Sequence, residues 1–268
     1  MKNIEIIPTA GLCNRMRALA SGVFLAHKLH LPAKIYWNNT IGLKADFCQL
    51  FQPINLTDVE LIENNRWVYQ IEFTKDYLLR WPILNLVYKV IYNHSIYTNG
   101  DIINKISRQE HRNLLLISCC PMCQCYNMNE LFVPLPDIQE RINHITSLFG
   151  EKTIGIHIRR TDNKQSIRLS PDNAFEERIA NEITKDPKVK FYLASDDENI
   201  KKQIIEKFDA PDRFIFIQEK TERNSLAGMK TAVVELFCLS KTKKIIGSNY
   251  SSYSNIAAEL GDIPIEYA

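Results

Sequence analysis

The chain has 268 residues, 45% of them hydrophobic and 24% charged, with a formal net charge of +2. That length holds one large domain or two small ones, each with its own core. A nearly neutral balance offers no global field to nucleic acid or to an anionic membrane, so any recognition of anions has to be local.

The opening MKNIEIIPTAGLCNRMR has a short apolar run broken by Glu5 and Pro8, without the h-region of a signal peptide. No uninterrupted apolar run approaches the ~18–20 residues of a membrane span. The expected location is therefore cytoplasmic, with peripheral contact to a membrane surface left open. Lys2–Pro8 reads as a strand, Ala10 and Gly11 as a turn, Asn14–Leu29 as a helix and Ala33–Trp37 as a second strand. Strand, turn, helix and strand in that order open an α/β sheet. ADFCQLFQP predicts a short helix stopped by Pro53, Asn55–Tyr69 holds strand-like pieces, and Lys75–His94 predicts a helix. Leu114–Cys119 reads as a buried strand and Asp137–Phe149 as a helix ending at Gly150, where the domain boundary is expected. The second half alternates regularly. Strands are expected at Thr153–Ile158, Lys190–Ala194, Arg213–Gln218 and Lys244–Gly247, and helices at Pro171–Thr184, Asp197–Phe208, Leu226–Ser240 and Ser252–Leu260. Such alternation is the signature of a doubly wound parallel sheet.

In that architecture ligands bind beyond the carboxyl ends of the strands, so the residues just after each strand carry the information. TIGIHIRRTDNK (153–164) runs from an apolar strand into paired arginines. Alternation puts His157 and Arg159 on one side and Ile156, Ile158 and Arg160 on the other. A guanidinium there grips a diphosphate through two parallel charge-assisted hydrogen bonds; the plainer alternative is a surface ion pair with Asp162. Ser251 and Ser252 stand where the last helix begins. They fit phosphate binding at a helix N-terminus and plain N-capping equally well. The first loop, Gly11 to Arg15 with Asn14 inside it, allows close approach of backbone to a ligand. It lacks the spacing of a dinucleotide site or a P-loop, and Arg15 and Arg17 are free to face either a cleft or solvent. Glu235 lies among apolar residues of a helix and needs a partner if buried, either a ligand hydroxyl or base edge, or another helix. Asp196 and Asp197 follow KFYLA, where at least one is expected to cap a helix.

Seven cysteines are present, an odd number without an export signal, so reduced thiols are expected. CCPMCQC (119–125) gathers four of them. A zinc site normally closes its tetrahedron from two separated pairs, and no second pair follows. The histidines are scattered singly, GxSxG and HExxH are absent, and no basic stripe interleaves with aromatic residues. Neither metal nor nucleic acid is expected.

Taken in order, HIRRTD (157–162), FYLASDD (191–197), VVELFCLSKTKKIIGS (233–248) and SSYSNIA (251–257) resemble the GDP-fucose-dependent fucosyltransferases. The α1,6 (NodZ-like) type is the nearest in pattern, within a superfamily that includes α1,2- and protein O-fucosyltransferases. AGLCNRMRALASG resembles that superfamily's opening loop. The resemblance implies a GT-B-like fold of two facing Rossmann-like α/β domains, here 1–150 on the acceptor side and 151–268 on the nucleotide-sugar side. It also implies inverting, metal-independent transfer of fucose from GDP-fucose to a glycan hydroxyl, with no cofactor. By the same resemblance Arg159 binds the donor diphosphate, His157 and Glu235 contact the guanine nucleotide, and Ser251 and Ser252 contact the β-phosphate. The loop Gly11 to Arg15 closes on the diphosphate. Two departures stand out. The family's α1,6 members carry Asp where Glu235 stands, and their base, a glutamate a little after the motif, has no counterpart in NKQSIRLS. That leaves Asp162 as the candidate base. The alternatives are a transferase using another nucleotide sugar, and a non-catalytic nucleotide-sugar-binding protein of a polysaccharide pathway.

Overall fold

Runs such as IEIIP, IGIHI and FYLAS are largely apolar, interrupted by Glu5, His157 and Ser195, as suits strands whose two faces are covered by helices in a parallel sheet. In the computed structural model, which describes residues 3–63, 82–93, 113–123, 128–219 and 221–268, these runs become the centres of two five-stranded sheets. The chain divides into two compact units, Met1–Val133 and Pro134–Ala268.

The first unit contains β1 (Ile4–Pro8), helix α1 (Leu12–Lys28), β2 (Ala33–Trp37), β3 (Val59–Glu63), β4 (Tyr88–Asn93) and β5 (Asn113–Ser118). All pairings are parallel, in the order β3-β2-β1-β5-β4. Ile7, Tyr36, Leu115 and Ile117 form its sheet core, and Trp37, Phe47, Phe51 and Phe132 interlock ring to ring beside it. Each such side chain contributes roughly 1.5–3 kcal/mol by leaving water. Glu5 is buried in β1 because the hydroxyls of Tyr36 and Tyr88 donate to it, at 2.7 and 3.1 Å.

The second unit starts with α2 (Pro136–Thr146) and continues with β6 (Ile154–Ile158), α3 (Lys164–Leu169), α4 (Asp172–Lys185), β7 (Phe191–Ser195), α5 (Glu198–Phe208), β8 (Phe214–Ile215), α6 (Leu226–Ser240), β9 (Ile245–Gly247), α7 (Ser252–Gly261) and β10 (Ile265–Tyr267). Its sheet is also wholly parallel, in the order β10-β9-β6-β7-β8. Ile156, Ile158, Phe175, Phe191, Leu193 and Ile246 are central to its core.

Two expectations change. Of Lys75–His94, the described part is helical only at 82–87 and then becomes β4, since YKVIYN is built from aromatic and β-branched residues that suit a strand; 75–81 and 94 lie outside the described residues. Of Asn55–Tyr69, residues 64–69 lie outside too, and the expected strand there is Val59–Glu63. The division between the two compact units falls at Val133–Pro134. Its cause is α2, whose buried Ile138 and Ile142 lie one turn apart, and which packs on α6 of the second unit. Arg213–Gln218 is strand only at Phe214–Ile215, and beyond it the Ile217 carbonyl accepts from Lys201 at 3.1 Å instead of a ladder partner.

Candidate functional site

Strand order reverses between β6 and β9. The chain runs β6, β7 and β8 to one side, then returns for β9 and β10 on the other. A crevice beyond the carboxyl ends of those two strands is where an open parallel sheet binds its ligand. The residues placed there are Arg159–Asn163 after β6 and Ser248–Ser252 after β9.

The loop Arg159–Asn163 is held from both sides. On the β7 side, Asp196 accepts from the backbone N–H of Arg160 at 2.7 Å, from the Thr161 hydroxyl at 2.6 Å and from the Thr161 N–H at 3.3 Å. The same carboxylate lies 3.1 Å from Nε of Arg159. On the β9 side, the Arg159 N–H donates to Ser248 Oγ at 2.9 Å, and Asn163 donates to the Tyr250 carbonyl at 3.0 Å. Arg159 and the hydrogen bonds donated to Asp196 hold its carboxyl below its ordinary pKa against the opposing effect of burial, which is the largest single influence.

The two arginines do different work. Arg160 is locked into the fold: Nε donates to Asp172 at 2.7 Å, its terminal nitrogens to the carbonyls of Arg159 and Ser170 at 2.8 and 2.9 Å, and its guanidinium lies over the Phe175 ring. Among the described residues the Arg159 guanidinium meets two carboxylates, Asp196 and Asp162, the latter through Nε at 2.9 Å. Asp162 is also 3.0 Å from the guanidinium of Arg223. The surface ion pair that the sequence allowed is therefore present, and a second arginine shares it.

His157 is buried beneath this loop rather than presented to solvent. Its ring stacks on Tyr253 of α7 with centroids 4.7 Å apart, and Nδ1 pairs with Ser254 Oγ at 2.7 Å. Burial, reinforced by Arg159 and Arg160 and opposed by Asp196, pushes its pKa down to about 3, so the ring is neutral. Gly247 makes the close packing of α7 possible: a Cβ there would meet Ser254 Oγ at 2.6 Å. Helix α7 then starts with Ser251 as its cap, but the Ser251 side chain makes no capping hydrogen bond and no acid lies in the first turn. The N-terminus keeps its positive end. Just before it, Tyr250 holds φ at 54°, the left-handed region that costs a non-glycine residue about 1–3 kcal/mol and that gathers at functional sites.

Asp197 and Glu235 stand apart. Asp197 caps α5, accepting from the Asn199 N–H at 2.8 Å. Glu235 is buried on α6 against Lys201, 3.1 Å away, whose other donors go to Glu198 and the Ile217 carbonyl, each at 3.1 Å. Burial raises Glu235 to about 7 despite the ammonium partner. As placed, its carboxylate pairs with another helix, one of the two partners the sequence allowed.

In the first unit the switch point lies between β1 and β5. Ala10, not Gly11, takes the left-handed φ of 66° there. Gly11 is the N-cap of α1, so Asn14 falls in its first turn, with a buried Oδ1 that lacks a hydrogen-bond partner. Arg15 is buried and does not face a cleft. Its guanidinium ties the turn to the segment after β2, donating to the Ala10 carbonyl at 2.7 Å and to Thr40 at 2.6 Å over the face of Trp37.

No group of three or more potential metal ligands occurs among the described residues, and Cys125 of CCPMCQC lies outside them. No described helix is long and apolar enough to cross a membrane. The residues that sequence reading missed are Asp196 as organiser, Ser248, Ser254 and Arg223. All but Arg223 follow a strand or start a helix, positions that the strand pattern already marks.

Two parallel five-stranded α/β units, each with its own switch point, give the chain a GT-B-like fold. No protein-family model and no curated protein sequence matches the chain. Solved structures do match, fucosyltransferases among them. NodZ α1,6-fucosyltransferase soaked with GDP-fucose is 17% identical over 97% of this chain and 93% of its own, with a TM-score of 0.63; the NodZ structures include one from Bradyrhizobium. POFUT1 in complex with GDP is 13% identical over 99% and 98%, with a TM-score of 0.58. A mutant Arabidopsis thaliana FUT1 in complex with GDP is 15% identical over 98% of this chain and 70% of its own, at 0.63. At such identities the likeness is one of fold.

Proposed function

We propose that the protein is a glycosyltransferase that moves fucose from GDP-fucose to a glycan hydroxyl with inversion and without a metal. The observation that carries this reading is the placement, after the two strands that flank one switch point, of Arg159 and of the α7 N-terminus, whose Ser251 makes no side-chain capping hydrogen bond. Fixed positive charge of that kind stabilises a departing diphosphate as its charge develops. The likeness of fold to enzymes solved with GDP or GDP-fucose supports the choice of donor. In this reading Arg159 takes the diphosphate, Ser251 and Ser252 with the first turn of α7 take the β-phosphate, and His157 holds α7 in place from beneath. The loop from Gly11 to Arg15 with Asn14 belongs to the acceptor-side unit. Asp162 lies between two guanidinium groups, so we assign it first as their counter-ion in the free protein, displaced when a diphosphate arrives.

A donor screen tests the reading: thermal shift and hydrolysis with GDP-fucose, GDP-mannose and UDP-sugars, with and without EDTA. GDP-sugars are expected to bind selectively and EDTA to change nothing. Equal binding of UDP-sugars would point to a transferase with another donor. GDP-fucose binding without turnover on any glycan would favour the non-catalytic reading, which the missing acid in NKQSIRLS supports.

A further inference from the structure

The cysteine run lies at the other switch point, directly after β5. Cys119 and Cys120 are both partly exposed, with their sulfurs 3.8 Å apart. Arg17, on α1, reaches them from beyond the neighbouring strand β1. Its Nε donates to the Cys119 carbonyl at 3.0 Å, and its terminal nitrogen lies 3.8 Å from the Cys120 sulfur. Ser118 fixes the turn, its hydroxyl donating to the Cys120 carbonyl at 2.7 Å while accepting from the Cys120 N–H at 3.0 Å. A thiol held between a guanidinium and a second thiol is the arrangement that stabilises a thiolate.

We infer that Cys120 is a modification site for peroxides and soft electrophiles, with Cys119 as its resolving thiol. In keeping with that geometry, the Cys119 thiol and Arg17 bring Cys120 down to about 6 against its partial burial. Cys119 itself is pushed up, by its hydrogen bond with Cys120 and then by burial, and stays protonated. In the first step the Cys120 thiolate attacks a peroxide oxygen. The S–O bond forms, the O–O bond breaks, and hydroxide leaves with the electron pair; the sulfur is oxidised by two electrons and the peroxide reduced. In the second step the Cys119 sulfur attacks that of Cys120, and the hydroxyl leaves with the Cys119 proton as water. Adjacent Cα atoms are about 3.8 Å apart, closer than the ~4.4 Å at which ordinary disulfides begin, so the product is strained and easily reduced. The modification is thus reversible.

The chain carries its own control. Cys48 is exposed, but burial of its sulfur and the nearby Glu63 push it up to about 11. At pH 6.5 the thiolate fractions of the two residues differ by roughly 10⁴, and the weaker nucleophilicity of the more acidic thiol takes back about 10² of that. Iodoacetamide labelling of the intact, reduced protein, read by peptide mass spectrometry, is therefore expected to modify Cys120 about 10²-fold faster than Cys48. Arg17→Gln should slow Cys120 several-fold and Arg17→Lys should restore it. With hydrogen peroxide, the peptide holding both residues should lose two hydrogens and regain them with dithiothreitol, whereas Cys119→Ser should stop at a trappable sulfenic acid. Labelling of Cys120 no faster than Cys48 in the unmodified protein, a result that depends on no variant, would overturn the inference. So would a peroxide product that leaves Cys120 unchanged.

Discussion

Asp162 is the residue whose role one substitution decides. Its carboxylate sits between Arg159, through Nε at 2.9 Å, and Arg223 at 3.0 Å. Asp162 and Arg223 are about half exposed, at 48% and 46%, while Arg159 is 16% exposed. Exposed pairs of this kind are each worth about 0.2–1 kcal/mol. A diphosphate that takes the same guanidiniums must first break them. Asp162→Asn removes the competing charge, so GDP should bind more tightly by the sum of the two, about 0.4–2 kcal/mol, or roughly 2–30-fold in Kd. Isothermal titration with GDP measures this directly, and the gain should shrink as salt screens the pairs. Turnover should fall by less than tenfold. Were Asp162 the general base, GDP affinity would stay unchanged and turnover would drop about 10²–10⁴-fold. Weaker GDP binding in Asp162→Asn would refute the counter-ion argument outright.

Arg159→Ala should abolish measurable GDP binding without lowering the melting temperature by more than a few degrees. Arg159→Lys should recover only part of the affinity, because an ammonium cannot make the bidentate contact; full recovery would argue against a forked grip. Lys201→Met leaves the Glu235 carboxylate buried and uncompensated, at a cost of about 3–5 kcal/mol at pH 8. At pH 5, Glu235, raised to about 7, is already protonated in the fold, so urea unfolding should show a much smaller loss; equal losses at both pH values would count against this. His157 is a base with a depressed folded pKa, about 3. Its contribution is complete above the unfolded value of ~6.5, and is lost as pH falls towards 3, by at most ~1.4 kcal/mol per unit. The raised Glu235 acts oppositely, weakening the fold as pH rises from 4.5 to about 7. His157→Gln should thus flatten the acid side of the stability curve, as thermal melts from pH 7 to 4 would reveal.

The parallel sheets were legible because their central strands are largely buried, so Ile4–Pro8, Ala33–Trp37 and Ile154–Ile158 stand out as mainly apolar runs. Edge strands carry less signal. β4 reads as a helix because a short apolar run suits either state, and β10 is only three residues long. At the candidate site, HIRRTD runs from the end of β6 into the loop that follows it at the switch point, and alternation separated Arg159 from Arg160. Sequence spacing said nothing of partners distant in the chain. Lys201 lies 34 residues from Glu235, and Arg15 reaches the segment around Thr40. Both charged residues turned out buried and paired, a state that one-dimensional patterns do not distinguish from a side chain aimed at a ligand. Arg223 lies in an irregular loop, where no periodicity constrains the direction of a side chain.

Asp196 has a consequence beyond holding one turn. It grips the Arg159–Asn163 loop through backbone and side chain together, so the loop is ordered when the second unit folds and not when a ligand arrives. Fixing a residue's backbone costs about 1–2 kcal/mol. Meeting that cost during folding means that, in the proposed function, an arriving anion has only to displace the Asp162 side chain and need not wait for the loop's backbone to close.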